Sequence, residues 1–303
     1  MLRLFTVAFI WGWSFLLIKV QLGGAPPPFI AWSRAVLGAL VLVLLVHRSG
    51  DRVIPPRRQW GHVVLLAIFN SALPFTLIAW GEQHITSALA SVLNAATPLA
   101  AAAFASVMLA ERLRPPQIAG LLLGITGVAV VAGIGGRDLA ASSLAGTLAV
   151  VAAAVSYGLA FPYSRKFLTG MSAAQMAAAP LLAAIGLLAV PAAVESARNG
   201  LHPTPTRVLA MILLGCVGTG IGLLLNFRSI LILGPTTASL VTYLIPLVGV
   251  TVGITVLGEP FSVRQLIGGI TIILSVALVQ GRLFGARRPA AEPAADPEEL
   301  TAR

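Results

Sequence analysis

Residues Ser87 to Val131 read SALASVLNAATPLAAAAFASVMLAERLRPPQIAGLLLGITGVAVV, and residues Pro235 to Val279 read PTTASLVTYLIPLVGVTVGITVLGEPFSVRQLIGGITIILSVALV. Set against each other without a gap, with Pro98 opposite Pro246, they pair Ala90 with Ala238, Ser91 with Ser239, Leu109 with Leu257, Glu111 with Glu259, Gln117 with Gln265, Gly120 with Gly268 and Val128 with Val276. Each copy is two apolar runs divided by a short link that carries the glutamate. The chain is a doubled unit, and an apolar repeat of this length belongs to a membrane-embedded protein built from two halves.

Composition agrees. Of 303 residues, 57% are hydrophobic and 10% charged, with a mean hydropathy of +0.93, which leaves too little polar surface to cover a soluble globule. The runs approach the roughly 20 residues a helix needs to cross the hydrocarbon, whereas a β-barrel shows alternating segments of about ten. The net charge of +10 does not indicate nucleic acid, because the basic residues stand singly or in short clusters between apolar runs. Cys216, the only cysteine, cannot form an intrachain disulfide. Met1 to Ala25 resembles a signal peptide, but its long run, Trp11, Trp13 and Lys19, and the following Pro26, Pro27 and Pro28 argue for a retained first helix.

Working outward from the repeat predicts ten spans. Five lie in residues 1–136, at about Leu4 to Leu22, Phe29 to His47, Gly61 to Trp80, Ser87 to Leu109 and Gln117 to Ile134. Five lie in residues 137–281, at about Leu144 to Tyr163, Ser172 to Val194, Val208 to Phe227, Pro235 to Leu257 and Arg264 to Gly281. Gly135, Gly136, Arg137 and Asp138 form the hinge, and the Ala/Pro/Glu-rich tail 282–303 reads as disordered. An odd number of spans per half makes the second half enter from the opposite side, so the expected fold is all-α, ten transmembrane helices as two inverted five-helix repeats. Basic residues concentrate in the segments on the N-terminal side, among them Arg48, Arg52, Arg57, Arg58, Arg112, Arg114, Arg165 and Lys166. Both termini are therefore expected in the cytoplasm, with the chain in the cell (inner) membrane.

The distribution of ionisable residues narrows the chemistry. The acidic residues fall at helix ends, in loops or in the tail, with Glu82 at the end of span three. Pumps and proton-coupled carriers expose titratable groups within the membrane; on this placement the chain lacks them, which is the pattern of an uncoupled facilitator. The same absence argues against intramembrane proteases and metal-dependent transferases, so no enzyme, cofactor or metal site is expected.

Lys19 and Arg34 are the cations deepest in apolar sequence, Arg34 roughly 9 Å below the start of span two. They either snorkel outward or form an outer network with Glu82. Among polar residues within spans, Asn70, Asn94, Tyr157, Asn226 and Tyr243 are the candidate substrate contacts, the alternative being interhelical hydrogen bonds. Pro98 and Pro246 each remove a backbone bond in mid-helix, giving matched kinks that are either a flexing pair or packing bends.

The doubled half with its proline, the Glu111 and Glu259 that follow, and then Gln117/Gln265 and Gly120/Gly268 resemble the EamA-type branch of the drug/metabolite transporter superfamily. Trp11-Gly12 followed by Lys19 and its second copy, Tyr157-Gly158 followed by Arg165, fit the same pattern, as does Arg34; Pro180 stands where the second half would repeat that arginine. The resemblance implies a secondary carrier with a central cavity, commonly exporting amino acids or other small metabolites, with YddG-like amino-acid exporters among the matches. Helices one, three, four, six, eight and nine would line the cavity. The expected partners are a small-molecule substrate and the lipid bilayer, and no nucleic acid. A carrier of anionic metabolites such as sugar phosphates, and a non-transporting membrane scaffold, are the alternative readings.

Overall fold

The computed structural model describes residues 2–48, 54–133, 141–226, 228–229 and 241–281. The hinge 135–138 and the tail 282–303 lie outside the described residues. Eight helices are long and apolar enough to cross a membrane: α1 Leu2–Leu22, α2 Pro27–Arg48, α3 Arg57–Gly81, α4 Ser87–Met108, α5 Pro115–Ala132, α6 Ala141–Phe167, α7 Ala173–Asn199 and α8 Pro205–Asn226. Two shorter apolar helices, α9 Val241–Leu257 and α10 Val263–Val279, complete the ten. The protein is an all-α membrane bundle.

Local chemistry sets the helix ends. Pro27 and Pro28, and likewise Pro115 and Pro116, open α2 and α5 and do more than separate spans, because the first helical positions have no intrahelical use for an N–H. The paired Gln117 and Gln265 are caps: Gln117 Oε1 accepts from the Arg114 N–H at 2.9 Å, and Gln265 Oε1 from the Ser262 N–H at 2.9 Å.

Packing between the halves is reciprocal. α5 lies on α10, α2 on α7 and α4 on α9; α1 meets α9 as α4 meets α6, and α2 meets α8 as α3 meets α7. Contacts of this kind, where i touches j′ and j touches i′, are what an internal two-fold produces. With five helices per half the axis lies in the membrane plane, so the repeats are inverted. The symmetry holds at residue level. A Cβ on Gly120 would sit 2.8 Å from Val279 Cγ2 and 2.9 Å from the Ser275 carbonyl, and one on Gly268 2.4 Å from Val131 Cγ2 and 2.9 Å from the Gly127 carbonyl. The glycines of the repeat thus let α5 and α10 approach closely. Large apolar side chains such as Leu122, Ile125, Val190, Ile267 and Ile270 are exposed on the outside of the bundle, as lipid-facing positions require.

Two irregularities matter for the site. α3 widens into a π-turn at Ile68–Ala72 and α8 into a longer one at Leu213–Ile221, at repeat-related places. In α3 the cause is legible: Pro74 has no N–H to offer the Asn70 carbonyl. The prolines of the repeat behave differently from each other. α4 breaks between Asn94 and Thr97, just before Pro98, and Thr97 Oγ1 donates to the Asn94 carbonyl that Pro98 leaves unbonded, at 2.8 Å. Pro246 instead sits inside a continuous α9. The expected matched kinks are unequal: α4 breaks just before its proline, whereas α9 runs through its own.

Candidate functional site in the bundle interior

The interior is built around Arg34 of α2. It does not snorkel: its Nε donates to Thr219 Oγ1 of the α8 π-turn at 2.7 Å, and its Cζ stacks 4.0 Å above the Phe75 ring of α3. Thr219 Oγ1 in turn donates to the Leu214 carbonyl at 3.2 Å, a bond the π-turn makes available. Tyr157 of α6 lies within electrostatic reach of the guanidinium. The two terminal amino groups of Arg34 have no hydrogen-bond partner among the described residues, and the side chain is partly exposed.

Other interior atoms are also unpaired. The indole N–H groups of Trp13 and Trp32 and Asn94 Oδ1 are buried without a hydrogen bond among the described residues. Trp11 is engaged, donating from Nε1 to the Gly218 carbonyl at 3.0 Å, and Ser156 Oγ donates to the Phe69 carbonyl in the α3 π-turn at 2.9 Å. Asn70 lies in that same turn, half-buried. The structure thus brings Arg34 and Tyr157 together, with Asn70 and Asn94 on interior helix breaks. Buried polar atoms without partners carry a cost of about 1–3 kcal/mol each.

Two expected contacts sit elsewhere. Tyr243 is near the start of the described α9, and its hydroxyl donates to Gln280 Oε1 at 2.7 Å, at the end of the bundle that carries the N-terminus. Asn226 lies in the last described turns of α8, toward that same end.

The opposite, far end of the bundle holds the remaining charges. Lys19 Nζ donates to the carbonyls of Glu82 and Ile85, the latter at 2.9 Å, tying α1 to the carbonyl-rich end of α3. Glu259 accepts from the N–H groups of Ser87 and Ala88 at 2.8 and 3.0 Å and from Ser87 Oγ at 2.9 Å, so it anchors the N-terminus of α4. Gly258, at φ +65°, reverses the chain to aim it there, and a Cβ on Gly253 would lie 2.7 Å from Glu259 Oε2. The repeat partner Glu111 does something else, pairing with exposed Arg165 at 2.8 Å. Glu82 itself is fully buried, and neither carboxylate oxygen has a hydrogen-bond partner among the described residues. Lys19, Arg34 and Glu82 make no direct ion pair there: Lys19 bonds to carbonyls, and Arg34 to a hydroxyl and a ring, while both cations act on Glu82 through space. Sequence reasoning missed the two π-turns and the burial of Glu82; Pro74 was the one available signal.

The EamA-like transporter family matches residues 1–133 and again 144–280, so its unit recurs across the two halves. This chain belongs to that family. A probable terminal-alkyne amino-acid exporter of Streptantibioticus cattleyicolor is 29% identical over 93% of this chain and 94% of its own length. The uncharacterized transporter YvbV of Bacillus subtilis is 26% identical over 89% and 88%. An S-adenosylmethionine/S-adenosylhomocysteine transporter of Chlamydia muridarum is 34% identical, over 45% of this chain and 42% of its own. A solved crystal structure at 23% identity superposes with a TM-score of 0.63, covering 92% of this chain and 96% of that one, and shares the fold. The EamA-like chain is thus a multi-pass membrane transporter.

Proposed function

We propose that this EamA-like protein exports amino acids or related small organic metabolites by alternating access, its halves 1–136 and 137–281 moving against each other. It works in the cell membrane with both termini cytoplasmic, the orientation that the basic segments favour. The observation that carries the substrate class is Arg34, a partly exposed cation in the bundle interior with two free amino groups, flanked by Phe75 and Tyr157. A carboxylate suits that fork, and Asn94 Oδ1, an acceptor without a partner, suits an ammonium group. The names of two relatives point the same way, since an alkyne amino acid and S-adenosylmethionine both carry a carboxylate and an ammonium on one carbon. Every named activity among these relatives is transport, and we read no enzyme here.

Counterflow in proteoliposomes tests this. Vesicles preloaded with one unlabelled amino acid at a time, or with a sugar phosphate, are given the labelled compound outside. Accumulation of amino acids supports the reading. Accumulation of sugar phosphates alone replaces it with an anion carrier, and no accumulation of any solute makes the chain a scaffold. The uncoupled-facilitator reading rests on the lack of a carboxylate near the bilayer centre; Glu82, although buried, stands at the far end of α3.

A further inference from the structure

Two carboxylates share the far end of the bundle in opposite environments. Glu259 has three donors, two of them backbone N–H groups at the start of α4, where the helix dipole favours an anion. Glu82 is 0% exposed and, among the described residues, has no donor on either oxygen and no cation within ion-pairing distance; the Lys19 ammonium gives two of its three N–H bonds to the carbonyls of Glu82 and Ile85. The charges that act on it are Lys19 of α1, Glu259 beyond α9 and Arg34 of α2; nearby His84 stacks on Trp80 with ring centroids 4.5 Å apart. An ionised carboxylate buried without hydrogen bonds is far costlier than the neutral acid. When like charges share a site and one has the better donors, the other keeps the proton.

We propose that Glu82 is a proton-binding site in the far-side gate: the closed far side holds Glu82 as the neutral acid, and losing that proton to water on the far side favours opening. The neighbours fit a gate. Gly81, Glu82, Ser87 and Ala88 are buried together at the α3–α4 turn, where Lys19 ties down α1 and Glu259 ties down the α9–α10 link. Because the closed state binds one proton more than the open state, raising the pH shifts the balance toward open, by at most about tenfold per pH unit. This deepens the alternating-access reading, yet the first measurement below reads Glu82 whatever the substrate.

Infrared spectra of the full chain in lipid nanodiscs, with isotope-labelled glutamate, should show a protonated-carboxyl stretch at neutral pH that fades as pH rises and is missing in Glu82→Gln. Accessibility gives the second readout, using Ile85→Cys in a Cys216→Ala background and an impermeant maleimide, with rates normalised to the unfolded protein at each pH. Labelling should rise severalfold per pH unit with Glu82 present and become pH-independent with Glu82→Gln. If the wild type lacks the stretch at neutral pH, or if Glu82→Gln leaves the pH response of labelling intact, the proposal is overturned. Should Glu82→Gln not fold, the wild-type titration of the stretch and of the labelling still decides it. Failure of amino-acid counterflow alone would sink the substrate class and leave the Glu82 site standing.

Discussion

Replacing Glu259 with glutamine should open the far side of this transporter. The carboxylate accepts three hydrogen bonds, from Ser87 N–H, Ser87 Oγ and Ala88 N–H, at 2.8, 2.9 and 3.0 Å. A glutamine amide presents one oxygen, which keeps the Ser87 N–H bond; its NH2 group can donate to a rotated Ser87 Oγ but cannot accept from the Ala88 N–H. Hydrogen bonds to a charged group contribute about 1.5–3 kcal/mol each. Glu259 is half-buried, so the low end applies; the one lost bond then comes to about 1.5 kcal/mol, a shift of roughly tenfold in the closed-to-open ratio. The read-out is maleimide labelling of Ile85→Cys in the Cys216→Ala background, at one pH, with and without Glu259→Gln. A rise of about one order of magnitude is expected. Labelling within twofold of the parent would refute the argument that this carboxylate holds the α4 terminus shut.

Other consequences follow from the same contacts. Arg34→Lys keeps the charge but loses both the fork and the stacking on Phe75, so amino-acid affinity measured by counterflow should fall at least tenfold, with thermal stability changed little. Gly268→Ala places a methyl group against backbone, 2.9 Å from the Gly127 carbonyl and the Val131 N–H; α5 and α10 must separate, lowering stability by about 1–3 kcal/mol, and thermal melting in detergent should show Gly120→Ala costing a similar amount by symmetry. Pro98→Ala restores a backbone donor to the Asn94 carbonyl and straightens α4, whereas Pro246→Ala changes a helix that is already continuous. Transport assays should find Pro98→Ala the more damaging, with membrane insertion of both near the parent level.

Much of the candidate site was legible in the sequence, and the part that was not has a physical reason. Arg34, Asn70, Asn94 and Tyr157 stand out because a polar group in an apolar run must face protein or water. Whether Arg34 turns outward or inward is decided by Thr219 and Phe75, contributed by helices that are distant in the chain. Tyr243 looked central on span length alone, and its bond to Gln280 places it near one end. Glu82 stands one residue beyond α3, where a carboxylate ordinarily meets water, and nothing local reveals that it is fully buried beside the Lys19 tie from α1.

The repeat from Ser87 to Val131 and from Pro235 to Val279 determined by itself that this is a doubled, helical membrane protein with inverted halves. Hydropathy, helix length and the parity of spans are properties of the chain taken locally, and the bilayer admits few other solutions. Tertiary structure alone decided that Glu111 and Glu259, identical in the repeat, act differently: one pairs with an exposed arginine and the other anchors a helix terminus. It also decided that Glu82 is sealed from water without a partner. A side chain's burial and its donors depend on what packs against it from elsewhere in the chain, and repeats with matching sequences still meet different neighbours at the two ends of the bundle.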